Sequence, residues 1–600
     1  MTFEEGVDLA EVIQTSFLEE RRKSAVEAVR TKLEGDGAFQ LVSQNEVGSL
    51  LKDASVIWRT HIHTSGQDWT VDIGLPKRFP DEAPMAYVHD WEQIFLRNPH
   101  VLKGGCLCTI PGSAALDSSD PVGLVRYVYD KAKEILDGTS TNDFKEEFSY
   151  YWSRCTTDGS QNVLIIDSID KLERSFPVVF CKGYVCVASS IERLNRWVSN
   201  RIGKTSELTS NGRGILLNLN APLLPQSYPS TLAELVSLAE VNDPPAAEMI
   251  NNDILTSSSR GFTLLVQKEG QGVALGGIIF SGLYSSKFTH GFRPGNVPLD
   301  VLRSRIIPFF RSTKVTRSEV IQVDHRRIHS RGGDGRDLSK KAVLLIGCGS
   351  LGGYVAHLLS RTGVGRLTVT DNDQLGWENV GRHILGASSL GRYKAEALAE
   401  ELMRELPHLE ITGIPKDWRD VFESNPKLFS EFDLVISTVA DWRCEGPLNA
   451  LVRETQMPPL LLGWLEPYAV AGHCLVVSHD GGCFECSSNA FGQFERSVAN
   501  FKETTISREP GGCAHYQRYG PIALMPVASM IASVAVESLL NAPAESFLHT
   551  WVSSAEHFKS VGAGLSEAWA QEVDRSGYSR TFRKPWKKSN SCRLCTKTES

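Results

Sequence analysis

The sequence predicts a multidomain chain of mixed class, α+β in its N-terminal part and α/β in its C-terminal part. Three observations carry this. Short β-rich runs follow one another between residues 39 and 89, behind a helix-patterned segment. An apolar strand at 343–346 turns through a glycine cluster into a helical segment and then a second strand, the opening of a parallel βαβ unit. Between these lie apolar runs, at 163–280, that belong to neither pattern. The boundaries read as 1–158, 159–330 and 331–600, the middle unit being mixed α/β.

Composition narrows the class before any motif does. A hydrophobic content of 41 % and a charged content of 22 % are those of an ordinary globular protein. A net charge of −8 gives no bulk attraction to nucleic acid or to an anionic membrane, so neither is expected as a partner. The first residues are acidic and lack a basic region before an apolar core, so no signal peptide is read and a cytoplasmic location is expected. Residues Ile522 to Leu540 are the best candidate membrane span, but Pro526, Glu537 and three serines favour a buried helix. Thirteen cysteines, an odd number in a long chain, point to thiol chemistry and metal binding rather than a disulfide framework.

Residues 10–34 carry apolar Val26, Val29 and Leu33 on one side and charges on the other, a helix. Strand-like runs follow at 39–42, 56–63 and 69–75. After the turn Phe79-Pro80-Asp81-Glu82-Ala83-Pro84 comes another at 85–89. Next stand Asn98-Pro99-His100 and Gly105-Cys106-Leu107-Cys108-Thr109, a helical segment at 122–136, and aromatic residues Phe148, Tyr150, Tyr151 and Trp152 that close the unit. This order resembles the ubiquitin-conjugating fold, in which a proline-rich turn, a His-Pro-Asn-like tripeptide and a Gly-x-x-Cys loop follow one another. The resemblance makes Cys108 the conjugating nucleophile by its spacing from the tripeptide, with Cys106 two residues early as the alternative. The family asparagine aligns with His100, which leaves its role unassigned. A thiol suits such a task because its thiolate is nucleophilic near neutral pH and its acyl ester stays reactive toward amines.

The middle unit offers strands at 163–166, 178–188, 215–219, 262–266 and 273–280 and a helix near 232–240, with no motif. Arg326, Arg327 and Arg331 form a basic cluster ahead of a glycine-rich linker at 332–338.

In the C-terminal unit Gly347, Gly349, Gly352 and Gly353 make the turn from strand to helix. Glycine is needed there because a phosphate must approach the backbone closely, at a helix N-terminus with free N–H groups. Asp371 ends the second strand, where an acid reaches a ribose hydroxyl. Asp373, Asn379, Arg382 and Lys394 follow, and two cations beside a nucleotide suit a triphosphate with a pyrophosphate leaving group better than a hydride site. Asp441 stands at the C-terminal end of a strand at 434–437, facing the crevice where ligands bind in open α/β sheets. Cys483-x-x-Cys486 and Cys592-x-x-Cys595 together supply four thiolates for a tetrahedral structural zinc site.

The ordered set GxGxLGG, DxDxxxxxN, NxxR and GxxK, with the split cysteine pairs, resembles the ThiF/MoeB family of ubiquitin-activating-type adenylyltransferases. The resemblance implies an ATP site, Mg²⁺ held by Asp441 and adenylation of a protein C-terminal carboxylate. It further implies a thioester cysteine at Cys513 in a crossover loop, a homodimer, and an arginine such as Arg327 reaching ATP across it. Asp441 is followed by Trp442 where the family has asparagine. With both resemblances combined, the chain looks like the activating–conjugating fusion enzymes of bacterial CBASS anti-phage operons. There the donor would be the C-terminus of a cGAS-like nucleotidyltransferase and the acceptors would be target lysines. The alternatives are an adenylyltransferase for a sulfur-carrier protein and an N-terminal unit that only binds.

Overall fold

In the computed structural model, the described residues are 9–43, 53–95, 97–110, 117–138, 147–202, 208–270, 272–293, 296–332, 335–455, 457–487, 494–501 and 518–597. They build three large sheets.

The first is an antiparallel meander of β1 (Phe39–Leu41), β2 (Ala54–His63), β3 (Asp68–Pro76), β4 (Met85–Val88) and β5 (Cys106–Leu107), in that order. Strand period sends Trp58, Ile62, Val71, Ile73 and Ala86 to one face. Val29 and Leu33 of the Leu9–Glu34 helix and Val125, Val128 and Ala132 of the Pro121–Asp137 helix cover them. The second helix starts where Asp120 accepts the Gly123 N–H at 2.8 Å ahead of Pro121, and stops at Gly138, whose φ is 45°. Asn98 donates to the Ile135 carbonyl at 3.3 Å, tying the Asn98-Pro99-His100 turn to that helix end.

The aromatic residues after this helix do not close the first core. Phe148 and Trp152, four apart on the Phe148–Arg154 helix, are buried with Ile215, Leu217 and Tyr228 of the next unit. Trp152 donates Nε1–H to the Ser318 carbonyl at 2.8 Å, and its ring fills the space left by Gly276, where a Cβ would lie 2.9 Å away. Tyr151 accepts the His100 N–H at 3.0 Å, so this helix also touches the first unit through one polar contact.

The middle sheet comprises β6 (Asn162–Ile165), β7 (Ser175–Cys181), β8 (Tyr184–Val187), β9 (Leu208–Leu219), β10 (Arg260–Glu269), β11 (Gly272–Ser281), β12 (Thr316–Ser318) and β13 (Val320–Gln322). Their order is β12-β11-β10-β9-β7-β8-β6-β13. The apolar run at 178–188 is therefore two strands, reversed near Gly183 at a φ of 94°. The basic cluster before the linker begins a helix, His325–Gly332, with Arg326 and Arg327 exposed.

The third sheet runs β16 (Glu410–Ile414), β15 (Arg366–Thr370), β14 (Ala342–Ile346), β17 (Leu434–Ser437), β18 (Leu460–Leu465), β19 (Ala471–Val477), β20 (Phe547–Val552) and β21 (Arg580–Pro585). The first five are parallel and the rest antiparallel. Helices Ser350–Arg361, Lys394–Glu405 and Pro521–Leu540 cover one face; Trp418–Ser424 and Trp442–Glu454 cover the other. The Pro521–Leu540 helix is long and apolar enough to cross a membrane, yet 61 % of its most apolar window is buried, largely in this core. It is the core helix that Pro526 and Glu537 predict.

Candidate functional site: a glycine-lined crevice, a cysteine cluster and an exposed thiol

Two adjoining cavities of about 370 and 520 Å³ share Gly349, Lys394, Thr438 and Val439, with Ile346, Gly347 and Thr370 from the C-terminal ends of β14 and β15 in the lining. This is the edge of an open α/β sheet at which ligands bind.

The glycines have separate reasons. Gly347 has a φ of 91°, a left-handed conformation that glycine adopts without strain. A Cβ on Gly352 would lie 2.0 Å from the Gly347 carbonyl oxygen, so the helix could not sit this close to the strand. A Cβ on Gly349 would meet nothing within 4 Å, because it would project into open space at the cavity wall. That unfilled space beside a twelve-residue helix is what a phosphate cradle requires. Gly353 packs against Ile384 and His383.

Asp371 accepts the Cys348 N–H at 2.6 Å and the Asp373 N–H at 2.8 Å, locking the glycine turn to the end of β15. Burial pushes its carboxyl above the usual range. Each carboxylate oxygen retains a lone pair for a further donor such as a ribose hydroxyl. The nearly buried Lys394 places Nζ 3.0 Å from Asp373. Asn379 accepts the Gly376 N–H at 3.1 Å, which closes the turn before Arg382. The Arg382 guanidinium lies over the Tyr519 ring, 4.8 Å from its centroid, at the mouth of the cavity. His383 accepts the Leu385 N–H at Nδ1 and therefore donates from Nε2 to the Cys348 carbonyl at 2.6 Å. Burial holds its pKa below the usual value, in keeping with that neutral tautomer.

Asp441 caps the Trp442–Glu454 helix by accepting the Arg443 N–H at 2.9 Å, and pairs with the Arg443 guanidinium, which holds its carboxyl below the usual range. The turn that presents it includes Ala440 at a φ of 57°, a conformation costly for alanine. Glu445 holds the turn from behind, accepting from Ser437 Oγ at 2.8 Å and from the Ala440 N–H at 3.2 Å. Burial raises its pKa to about 7.

The crevice thus gathers Gly347, Gly349, Asp371, Asp373, Asn379, Arg382, Lys394 and Asp441 around two adjoining cavities that share Gly349 and Lys394. Gly352 and Gly353 act one step back, in the helix packing. The sequence reading omitted Lys416, Arg419, Arg443, Thr438 and Tyr519, which also line it. The signal for the first two is the strand Glu410–Ile414, whose C-terminal end faces the same crevice. Arg327 is not among the lining residues of its own chain.

Sγ atoms of Cys483, Cys486, Cys592 and Cys595 all lie within 4.8 Å of one another, at 3.5 Å for 483–592 and 486–595 and 3.9 Å for 483–486. A tetrahedral zinc with bonds of about 2.3 Å needs thiolates roughly 3.8 Å apart, so the cluster fits zinc without rearrangement. The Ser589 N–H and Arg453 Nη2 point at Cys486 and Cys595, donors that suit thiolates.

In the first unit Cys108 is exposed, its N–H donating to the His100 carbonyl at 2.9 Å. Cys106 is half-buried in β5 opposite Tyr87, and burial pushes its thiol up. Gly105, at a φ of 87°, could carry no Cβ, which would lie 2.5 Å from the Val88 carbonyl oxygen. Cys513 lies outside the described residues.

Comparison with known proteins matches residues 323–562 to the ThiF family and residues 49–159 to prokaryotic E2 family B. The chain is 28 % identical over 432 residues to the ATP-dependent ubiquitin transferase-like protein Cap2 of Pseudomonas aeruginosa, covering 67 % of this chain and 73 % of the relative. It is 25 % identical over 412 residues to the protein of the same name from Vibrio cholerae, covering 62 % and 68 %. The ubiquitin-like modifier-activating enzyme 5 of Drosophila virilis is 27 % identical over 249 residues, covering 39 % and 56 %.

Proposed function

We propose that this chain, in which a match to the ThiF family follows a match to prokaryotic E2 family B, is an enzyme of the ubiquitin-activating and ubiquitin-conjugating type that runs both steps on one protein donor. The donor's C-terminal carboxylate attacks the α-phosphorus of ATP; the bond to the bridging oxygen breaks and pyrophosphate leaves. Lys394 and Arg382 offset the phosphate charge, and Asp371 and Asn379 orient the nucleoside end and the turn. Asp441 would hold Mg²⁺, a hard cation that takes a carboxylate together with phosphate oxygens and supplies charge neutralisation there. Its side chain, at the cavity edge and 38 % exposed, fits that use.

The acyl group passes from AMP to Cys513, from that thioester to Cys108, and finally to a lysine amine, each step exchanging one leaving group for the next. The observation that carries this reading is the convergence of Lys394, Arg382 and three carboxylates on an open glycine cradle within the ThiF domain. The exposed Cys108, beside a half-buried Cys106, supports a catalytic first unit over a purely binding one. Similarity to the ATP-dependent ubiquitin transferase-like Cap2 proteins supports the transfer chemistry; the resemblance to CBASS activating–conjugating fusions adds the further reading of a cGAS-like nucleotidyltransferase as donor and a homodimer as the working form. The four cysteines hold structural zinc, and the unit boundaries fall near residues 147 and 330, the first earlier than 158 because the Phe148–Arg154 helix packs into the middle core.

The test is ATP–pyrophosphate exchange by the full chain in the presence of such a donor. Exchange that requires the donor and disappears when its last residue is deleted is expected. Exchange indifferent to that deletion would contradict the assignment of the C-terminal carboxylate.

A further inference from the structure

The tripeptide Asp-Trp-Arg occurs twice in the C-terminal unit, at 417–419 and 441–443. Both copies build the same local device. The aspartate caps a helix, accepting the arginine N–H at 2.9 Å in each. The arginine side chain then folds back onto that aspartate. Nη2 meets Oδ2 at 2.7 Å in both, and Nε meets Oδ1 at 2.9 and 3.2 Å. Trp418 donates Nε1–H to Cys444 Sγ at 3.1 Å, so the two caps adjoin and line the same cavity as Lys394, Asp371 and Gly349.

Their surroundings differ. The Arg443 side chain is 87 % exposed and its aspartate 38 %; for Arg419 and its aspartate the values are 49 % and 22 %. We propose that Arg443 is a polyphosphate ligand stored on Asp441, its guanidinium exchanging that carboxylate for the β- and γ-phosphates when ATP binds. This rests on the nucleotide reading of the crevice given above.

The exchange is favoured by the geometry. A guanidinium fork matches two phosphate oxygens as well as it matches a carboxylate, so Arg443 trades one anion for another. Asp441 is not stranded, because the Arg443 backbone N–H still caps it. The Trp442 ring, 5.4 Å from Phe484, anchors the turn so that only the arginine side chain moves. As the acyl oxygen bonds to the α-phosphorus, the bridging oxygen leaves with its electron pair, and Arg443 meets the charge that grows on pyrophosphate. AMP has no β- or γ-phosphate and offers Arg443 nothing. Arg419, the more enclosed copy, stays on Asp417.

Isothermal titration of the full chain with ATP and with AMP, both with Mg²⁺, tests this. Arg443→Gln is expected to weaken ATP at least tenfold and AMP less than twofold, with Arg443→Lys between. Equal weakening of both nucleotides, or unchanged ATP affinity, overturns the proposal. A wild-type chain that binds neither nucleotide overturns instead the nucleotide reading beneath it.

Discussion

Glu445→Gln isolates the carboxylate behind the Asp441 turn. Glu445 is 2 % exposed and accepts from Ser437 Oγ and the Ala440 N–H. Burial outweighs those two bonds and lifts its pKa from 4.5 to about 7. An acid whose folded pKa is raised holds its proton longer folded than unfolded. Its contribution is therefore complete below about pH 4.5 and is lost as pH rises toward 7. At roughly 1.4 kcal/mol per pKa unit, the swing is about 3 kcal/mol. Glutamine keeps an acceptor oxygen for both donors and cannot ionise, so the variant loses the swing. The assay is urea unfolding read by hydrogen exchange of peptides spanning 434–454, which follows this turn within a multidomain chain. At pH 5 the two proteins should differ by under about 1 kcal/mol, and at pH 8 the variant should be the more stable by about 2–3 kcal/mol. Parallel pH profiles from 5 to 8 would refute the assignment of a buried carboxyl titrating near neutrality.

Three further outcomes are expected. Cys592→Ser should remove one zinc per chain, measured by metal analysis, and unfold the region that joins Cys483 to the Trp586 segment; zinc-free wild-type protein that melts normally would exclude a structural metal. Gly352→Ala should destabilise by several kcal/mol because its Cβ would lie 2.0 Å from the Gly347 oxygen, whereas Gly349→Ala should leave the melting temperature within a degree or two and weaken ATP binding, compared by calorimetry and nucleotide titration. Lys394→Ala should lower the ATP–pyrophosphate exchange rate about 10²- to 10³-fold, the usual scale for removing one charge-stabilising donor, and leave the fold intact by circular dichroism.

Much of the crevice was legible in the sequence because its parts are local. A glycine that must admit a phosphate and an acid that ends a strand are visible in a short window, and so are two Cys-x-x-Cys pairs. The parts that escaped are set by distant packing. Glu445 sits among polar residues at the start of an amphipathic helix, and nothing in its neighbours says that it is sealed beneath Ser437. Arg419 reaches the crevice only because the Trp418–Ser424 helix lies against the Trp442–Glu454 helix. The ownership of Phe148 and Trp152 depended on which of two cores offered a slot, and Gly276, more than 120 residues away, provides it. At one edge of the middle sheet β6 pairs with β13, strands from opposite ends of the unit's sequence, a pairing that no local pattern announces.

That one chain both activates and conjugates is the central proposal. It is tested most directly by a non-reducing gel of the full chain after incubation with ATP, Mg²⁺ and the proposed donor, a cGAS-like nucleotidyltransferase. Two thiol-sensitive donor adducts are expected: Cys513→Ala abolishes both, and Cys108→Ala removes only the second, while Cys106→Ala retains both. A wild-type chain that forms no thiol-sensitive adduct, or a Cys108→Ala chain whose adducts and products match the wild type, would contradict it.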